Sequence, residues 1–198
     1  MPNVFIHKAK KYRLYNKLME ILFNKIIIYI LRYKIHVSIN LDYIDILNPH
    51  IKKTLISKIK SHNIGSYLTL EILESEKVSN FNIVNDFIAE VKKYGVKIAI
   101  DDFGTGYSNF ENILNLNIDY IKIDGSLIKK IDEDIYLNLI KSIVLFSKQQ
   151  KIKVVAEFVS DLKILRYVKN IGIDYSQGYY IGKPTNINEL IEEKKKKR

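Results

Sequence analysis

Residues 67–72 read Tyr67-Leu68-Thr69-Leu70-Glu71-Ile72. Alternate residues of a β-strand point to opposite faces, so the three aliphatic side chains would share one face and the three polar ones the other. A strand in an open, doubly wound sheet is covered by helices on both faces and is apolar throughout. One apolar and one polar face therefore favour a barrel. In a barrel the apolar face packs on helices, and the polar face lines the interior, at one end of which the active site lies.

The same division into two faces recurs elsewhere in the chain. Ile39 faces away from Ser38 and Asn40, and Ile121 faces away from Lys122. The β-rich runs, separated mostly by helix-like stretches, cover residues 35–42, 67–74, 96–103, 118–125, 152–159 and 174–182. Strands that alternate with helices form parallel sheets. We therefore predict a TIM-like α/β (βα) barrel with about six parallel strands present.

Two of the helical stretches carry an apolar stripe at helical spacing. The stripes are Leu14, Leu18, Ile21 and Leu22 before the first strand, and Val84, Phe87, Ile88 and Val91 before the third. Side chains spaced in this way lie on one face of a helix. We expect both stripes to be buried against the sheet.

Length and composition limit the organisation of the chain. Its 198 residues, 47% of them hydrophobic, suffice for one domain with a sizeable core, and no linker divides them. We predict a single domain over residues 1–198, with residues 192–198 as a charged, solvated tail. The chain has no cysteine, which excludes disulfides and thiolate metal sites.

Charge and hydropathy restrict the partners. The apolar run nearest the amino terminus, residues 26–31, is far shorter than the roughly 20 residues that span a bilayer. We expect no membrane segment and a cytoplasmic location, either as a free protein or as the cytoplasmic part of a larger membrane-anchored one. The net charge of +10 is spread along the chain, so we predict no nucleic-acid partner.

Polar residues stand near the carboxyl ends of all six predicted strands. They are Asn40, Glu71, Asp101, Asp102, Lys122, Glu157 and Gln177. Active sites of parallel barrels form from these strand ends and the loops that follow them. Carboxylates gathered in one pocket repel one another unless cations neutralise them, and oxygen ligands suit Mg²⁺ or Mn²⁺. The sequence therefore predicts one or two such ions at this rim.

Asp101 and Asp102 are adjacent, so in a regular strand they would point to opposite faces. Both can reach one site only if the strand bends at its end, and Gly104 and Gly106 supply the flexibility for that. A helix cap or turn is the alternative reading of two neighbouring aspartates. The apolar run at residues 96–100 and the glycines that follow favour a site.

Lys122 lies between Ile121 and Ile123, where a surface lysine is not expected. Directed into a metal cluster, its ammonium could orient the attacking water or neutralise charge that develops on a phosphate. The alternative is a structural partner for Asp124 or Glu157. Gln177 is a candidate for positioning water or substrate.

Five motifs carry a family resemblance. In order they are Glu71-Ile72-Leu73-Glu74-Ser75, Asp101-Asp102-Phe103-Gly104-Thr105-Gly106-Tyr107-Ser108, Ile121-Lys122-Ile123-Asp124, Val155-Ala156-Glu157 and Gln177-Gly178-Tyr179-Tyr180-Ile181-Gly182-Lys183-Pro184. They resemble the ordered motifs of EAL-domain cyclic di-GMP phosphodiesterases, and the resemblance covers essentially the whole chain. The second and fifth strings are highly specific in this order and spacing.

The resemblance implies a role for each matching residue. Metal ligands would be Asn40, Glu71, Asp101, Asp102 and Glu157; Lys122 would help to activate water, and Glu157 and Gln177 would act with it in catalysis. Glu74 would stabilise the loop after Asp102, and substrate would contact Asp124, Gln177 and Pro184. The implied reaction is hydrolysis of cyclic di-GMP to linear pGpG with Mg²⁺ or Mn²⁺, two ions in all, in bacterial signalling. The implied partners are cyclic di-GMP, a second copy in a homodimer, and an upstream sensory or GGDEF-type domain.

The sequence also departs from the family pattern. No Glu-Ala-Leu tripeptide occurs, and Phe158 and Ser160 stand where the family usually has glycine and glutamate. We expect an N-terminally truncated EAL barrel that starts just after that tripeptide and lacks its first two strands.

Two alternatives to the phosphodiesterase remain open. The missing metal-binding glutamate raises the alternative of a non-catalytic remnant that binds cyclic di-GMP or a protein. Another alternative, an aldolase-like barrel with a Schiff base at Lys122, is disfavoured by the surrounding acids, which would keep the lysine protonated.

Overall fold

The computed structural model describes residues 8–9, 11–12, 14–73, 81–104 and 110–196. The chain divides into two compact units, Met1–Ile72 with Glu76–Lys97 and Leu73–Ser75 with Ile98–Arg198. Within the part of the chain described, no helix is long and apolar enough to cross a membrane.

Helices alternate with strands along the first part of the chain. Its elements are α1 Tyr15–Tyr33, β1 Val37–Leu41, α2 Tyr43–Leu47, α3 Pro49–His62, a single 3-10 turn Gly65–Tyr67, β2 Leu68–Leu73 and α4 Phe81–Lys92. Helix α3 begins at a proline, and Asn48 caps it by accepting hydrogen bonds from two backbone N–H groups of its first turn.

The second part continues the alternation from β3 onward. Its elements are β3 Lys97–Phe103, α5 Phe110–Leu114, β4 Tyr120–Ile123, α6 Gly125–Ile128, α7 Asp134–Gln149, β5 Lys153–Ala156, α8 Leu162–Asn170, β6 Tyr175–Ser176 and α9 Ile187–Lys196.

The strands form a six-stranded sheet whose order follows the chain, β1-β2-β3-β4-β5-β6. β1 pairs with β2, β3 with β4, β4 with β5, and β5 with β6, in each case parallel. The predicted parallel α/β architecture is confirmed. Every strand is shorter than the β-rich run that predicted it, so Asp124, Glu157 and Gln177 lie in the loops just beyond strand ends.

The two faces predicted for residues 67–72 are present in β2. Leu68, Leu70 and Ile72 are buried, whereas Thr69 and Glu71 are half-buried. β1 alternates in the same way, with Ile39 buried and Asn40 exposed. Alternation in the sequence therefore identified the core-facing side of these strands correctly.

One of the two predicted helix stripes was wrong. Val84, Phe87, Ile88 and Val91 of α4 are all buried, as expected. In the other stripe, however, Leu14 just before α1 and Ile21 and Leu22 within it are exposed, and Leu18 is half-buried. The buried side chains of α1 are Met19, Phe23, Ile27 and Ile30. Apolar residues occur all around α1, so spacing alone could not select its inner face. The set that is buried continues to the end of the helix, where Ile27 and Ile30 pack with Ile64.

Two aspartates fix the amino ends of strands in the second unit. Asp119 Oδ2 accepts a hydrogen bond from the Ile98 N–H at 3.0 Å, and the Asp119 N–H donates to the Ile98 carbonyl at 2.8 Å. Asp174 accepts from the Val154 N–H at 2.9 Å and from Lys153 Nζ at 2.7 Å. Burial raises the pKa of Asp174, but the Lys153 and Val154 hydrogen bonds outweigh it and leave that pKa lowered.

Candidate metal centre

The end of β3 has the bend that the sequence predicts. The register between β3 and β4 shifts between Ile100 and Phe103. Asp102 has a positive φ of 56°, and Gly104 follows with a φ of 100°. Left-handed backbone of this kind turns a strand locally, which lets the side chains of adjacent residues point the same way.

Lys122 is buried and pairs with two acids. Its Nζ lies 2.6 Å from Asp101 Oδ1 and 2.9 Å from Glu157 Oε1, and only 6% of the residue is exposed. The parallel register of β4 and β5 places Lys122 opposite Val155, and the Glu157 N–H donates to the Ile123 carbonyl at 3.1 Å. Lys122 is therefore not at the surface. It has the ion pair with Glu157 that the structural reading expected, and together with Asp101 this places its ammonium among the carboxylates, as the metal-cluster reading requires.

Asp101, Asp102 and Glu157 each offer one carboxylate oxygen, and these oxygens lie within 4.8 Å of one another. Asp101 and Glu157 are buried and Asp102 is half-buried. Oxygens on opposite sides of a Mg²⁺ ion lie about 4.2 Å apart, since each bond is about 2.1 Å, and Ca²⁺ allows about 5 Å. The donor type therefore suits a hard divalent cation, and the 4.8 Å limit on the oxygen separations lies between the spans of Mg²⁺ and Ca²⁺.

Electrostatics favour a cation here. Burial raises the pKa of Glu157, the attraction of Lys122 opposes that rise, and the nearby charges of Asp101 and Asp102 add to it, so that the pKa is raised overall. Among these four described residues, one lysine ammonium faces three carboxylates, which leaves an excess of negative charge within the group. A bound divalent ion would offset that excess, which gives the cluster a physical reason to bind metal.

Three further predicted residues lie in the loops that follow strands of the second unit. The Gln177 N–H donates to the Ala156 carbonyl at 2.8 Å, and the Gln177 carbonyl accepts from the Val159 N–H at 3.0 Å, which holds Gln177 beside the loop after Glu157. Asp124 Oδ1 accepts from the Ser126 N–H at 2.7 Å and caps α6. Burial raises the pKa of Asp124, but the hydrogen bonds from Ser126 outweigh it and lower that pKa. Pro184 lies exposed in the loop after β6.

The remaining predicted residues lie in the first part of the chain or outside the described residues. Asn40 and Glu71 are register partners at the carboxyl ends of β1 and β2, so the structure places these two predicted ligands side by side. Asn40 is exposed and Glu71 half-buried. Glu74 lies outside the described residues.

Sequence reasoning missed the conformation of Phe158, the residue after Glu157. Its φ is 53°, in the left-handed region that bulky residues rarely adopt. The sequence marked Phe158 as a departure from the family pattern, and that mismatch was the available signal.

Comparisons with curated proteins agree with these motifs. The chain is 41% identical over 139 residues, 69% of its length, to the cyclic di-GMP phosphodiesterase PdeA of Borreliella burgdorferi, of which it covers 20%. It is 33% identical over 158 residues, 79% of its length, to the cyclic di-GMP phosphodiesterase PdeF of Escherichia coli, of which it covers 21%. The chain thus spans about a fifth of the length of these relatives.

Solved structures share the fold. An EAL domain protein from Listeria monocytogenes superposes with a TM-score of 0.81 at 27% identity, covering 95% of this chain and 75% of that one. The PaMucR phosphodiesterase, in complex with c-di-GMP, has a TM-score of 0.83 at 22% identity, covering 96% and 86%. A family model described as the EAL domain matches residues 1–184. With its motifs, its parallel sheet and this match in agreement, the chain belongs to the EAL domain family.

Proposed function

We propose that this EAL domain hydrolyses cyclic di-GMP to linear pGpG in a metal-dependent reaction. The observation that carries the proposal is the group of Asp101, Asp102 and Glu157, with Lys122 bridging two of them. The names of the relatives support the choice of substrate.

The reaction is a displacement at phosphorus. The oxygen of a water molecule forms a bond to one phosphorus atom, the bond from that phosphorus to a ribose 3′ oxygen breaks, and a proton from water ends on the released oxygen. When bound, one or two Mg²⁺ or Mn²⁺ ions supply positive charge that polarises water and stabilises the charge of the transition state.

Each residue of the site has its own role in this reaction. Asp101, Asp102 and Glu157 hold the metal, and the resemblance assigns Asn40 and Glu71 as further oxygen ligands. Lys122 keeps a positive charge fixed beside the carboxylates, since two ion pairs hold its ammonium, and that charge stabilises the phosphate as negative charge develops. Gln177 orients water or substrate.

The resemblance to EAL-domain phosphodiesterases supplies the remaining substrate contacts and the partners. Asp124 and Pro184 contact the substrate. A homodimer, an upstream sensory or GGDEF-type domain and a cytoplasmic location stay predictions.

The direct test is to incubate the purified chain with cyclic di-GMP and Mn²⁺ or Mg²⁺ and to measure pGpG by chromatography. We expect product with metal, none with EDTA, and a loss of at least about a hundredfold in Asp101→Asn, because a metal ligand is removed. The matched control is Asp132→Asn, which changes an exposed acid paired with Lys163. Turnover that persists in EDTA and in Asp101→Asn would rule the proposal out.

A non-catalytic cyclic di-GMP-binding or protein-interaction remnant is the second candidate, because the sequence contains no Glu-Ala-Leu tripeptide. Nucleotide binding without pGpG formation, insensitive to EDTA and to Asp101→Asn, would favour the nucleotide-binding form of it. The aldolase-like alternative has less support, because Lys122 is engaged with two carboxylates and a paired ammonium is a poor nucleophile.

A further inference from the structure

Phe158 holds an unusual backbone conformation directly beside the metal cluster. Its φ of 53° is left-handed, and its neighbour in sequence is Glu157, a member of that cluster. Bulky residues disfavour this region, so such a conformation persists only where the surroundings enforce it.

Backbone hydrogen bonds fix the chain on both sides of Phe158. Before it, the Glu157 N–H donates to the Ile123 carbonyl at 3.1 Å. After it, the Val159 N–H donates to the Gln177 carbonyl at 3.0 Å, and the Val159 carbonyl accepts from the Tyr180 N–H at 3.1 Å. The turn at Phe158 is therefore hydrogen-bonded to the end of β4 on one side and to the loop after β6 on the other. Its backbone conformation sets the position of the adjacent residue, Glu157.

The ring of Phe158 occupies space that a side chain at Gly125 would need. A Cβ on Gly125 would lie 2.7 Å from Phe158 Cβ and closer still to Cγ and Cδ2 of the ring. Lys129 Nζ lies 4.7 Å from the ring centroid, within the range of a cation–π interaction. Gly125 begins α6, three residues after Lys122. The ring thus connects the turn after Glu157 to the segment after Lys122.

We propose that Phe158 is a positioning residue: its ring, seated on Gly125, holds the left-handed turn that keeps the Glu157 carboxylate against Lys122 and within the metal cluster. Gly125 is required because any Cβ there would displace the ring. The inference rests on the metal-binding part of the proposed function, and not on the identity of the nucleotide.

Substitutions at the two positions separate the ring contact from the backbone conformation. Phe158→Ala still has a β-carbon, which disfavours positive φ, but it lacks the ring. The turn therefore relaxes, and Mn²⁺ affinity falls about tenfold, as for other residues that orient metal ligands. Phe158→Gly takes the left-handed turn without strain and binds within about threefold of the wild type. Gly125→Ala displaces the ring and loses about tenfold. The double variant Gly125→Ala with Phe158→Gly regains affinity, because neither clash nor strain remains.

The measurement is Mn²⁺ binding by electron paramagnetic resonance without nucleotide, with metal-free melting followed by circular dichroism. Phe158→Tyr, which keeps the ring, is the matched control and should bind as the wild type does. Wild-type affinity in Phe158→Ala with a lowered melting temperature would reduce Phe158 to a packing role and overturn the inference. If Phe158→Ala fails to fold, failure of Phe158→Gly to restore Gly125→Ala overturns it instead. Mn²⁺ binding with the expected order but without hydrolysis would reject the phosphodiesterase alone.

Discussion

The two ends of the sheet in the second unit use carboxylates in opposite ways. At the amino ends of the strands, Asp119 and Asp174 each accept a backbone N–H of a neighbouring strand, and the pKa of Asp174 is lowered. At the carboxyl ends, Asp101 and Glu157 share the ammonium of Lys122, and burial raises the pKa of Glu157.

The acids at the two ends of the strands therefore have opposite effects on the stability of the fold. An acid whose pKa is lowered stabilises the folded state when ionised, whereas an acid whose pKa is raised opposes folding when ionised. The amino ends therefore stabilise the sheet, and the carboxyl ends carry a cost that a bound cation would offset. Functional sites commonly concentrate such perturbed groups.

The largest effect should follow removal of Lys122, the cation that bridges the carboxyl-end acids. Lys122→Met leaves the buried Asp101 and Glu157 without that charge, and breaking a buried ion pair costs about 3 kcal/mol or more. We expect urea denaturation in EDTA to show this loss, and Mn²⁺ to recover part of it because a ligand that binds only the folded state stabilises it.

Lys163→Met is the matched control for that variant. It removes an ion pair of similar length, 2.7 Å to Asp132 Oδ2, between exposed side chains, and should change stability little. A metal-free Lys122→Met as stable as the wild type would show that the carboxyl-end acids do not oppose folding.

A smaller effect is expected at the amino ends. Asp174→Ala removes the acceptor for the Val154 N–H and the partner of Lys153, and the loss of such hydrogen bonds costs about 1 kcal/mol. Because the folded pKa is lowered, the stabilisation is present above the unfolded pKa of about 4 and is lost as pH falls through the folded value.

Thermal melts of Asp174→Ala from pH 3 to pH 7, in about one-unit steps, measure this effect, with the difference from the wild type vanishing at the acid end. Mn²⁺ affinity should be unchanged, since Asp174 lies at the opposite ends of the strands from the cluster. A large loss of Mn²⁺ binding would show that the two ends are not independent.

Sequence patterns predicted those features that depend on neighbouring residues. Alternation in residues 67–72 identified both faces of β2, and the isoleucines that flank Lys122 indicated that it is buried. The glycines after Asp102 anticipated the bend of β3, because left-handed backbone commonly involves glycine and aspartate.

Features set by distant contacts could not be predicted in this way. The buried face of α1 depends on which apolar side packs against Ile64. The hydrogen bond at the start of β5 joins the Val154 N–H to Asp174, 20 residues away. The turn at Phe158 contradicts local preference, and contacts with distant residues surround it: hydrogen bonds from Glu157 to Ile123 and from Val159 to Gln177, and the packing of its ring on Gly125. Long-range packing and hydrogen bonding therefore override local propensity at these places.

The smallest predicted effect also has the opposite sign. Glu157→Gln keeps a side chain that can accept a hydrogen bond from Lys122 but removes a charge whose pKa is raised in the folded protein. A raised folded pKa gives stability that is present below the unfolded value of about 4.3 and is lost as pH rises through the folded value.

Without metal at pH 7.5, Glu157→Gln should therefore be more stable than the wild type by about 0.5 kcal/mol in the free energy of unfolding, and should melt at a slightly higher temperature. The two proteins should have the same stability below about pH 4. With Mn²⁺ the order should reverse, because the wild type gains stability from a ligand that the variant binds less well. A metal-free Glu157→Gln that melts lower at pH 7.5, as Asp174→Ala should, would mean that the acids at both ends stabilise the sheet alike.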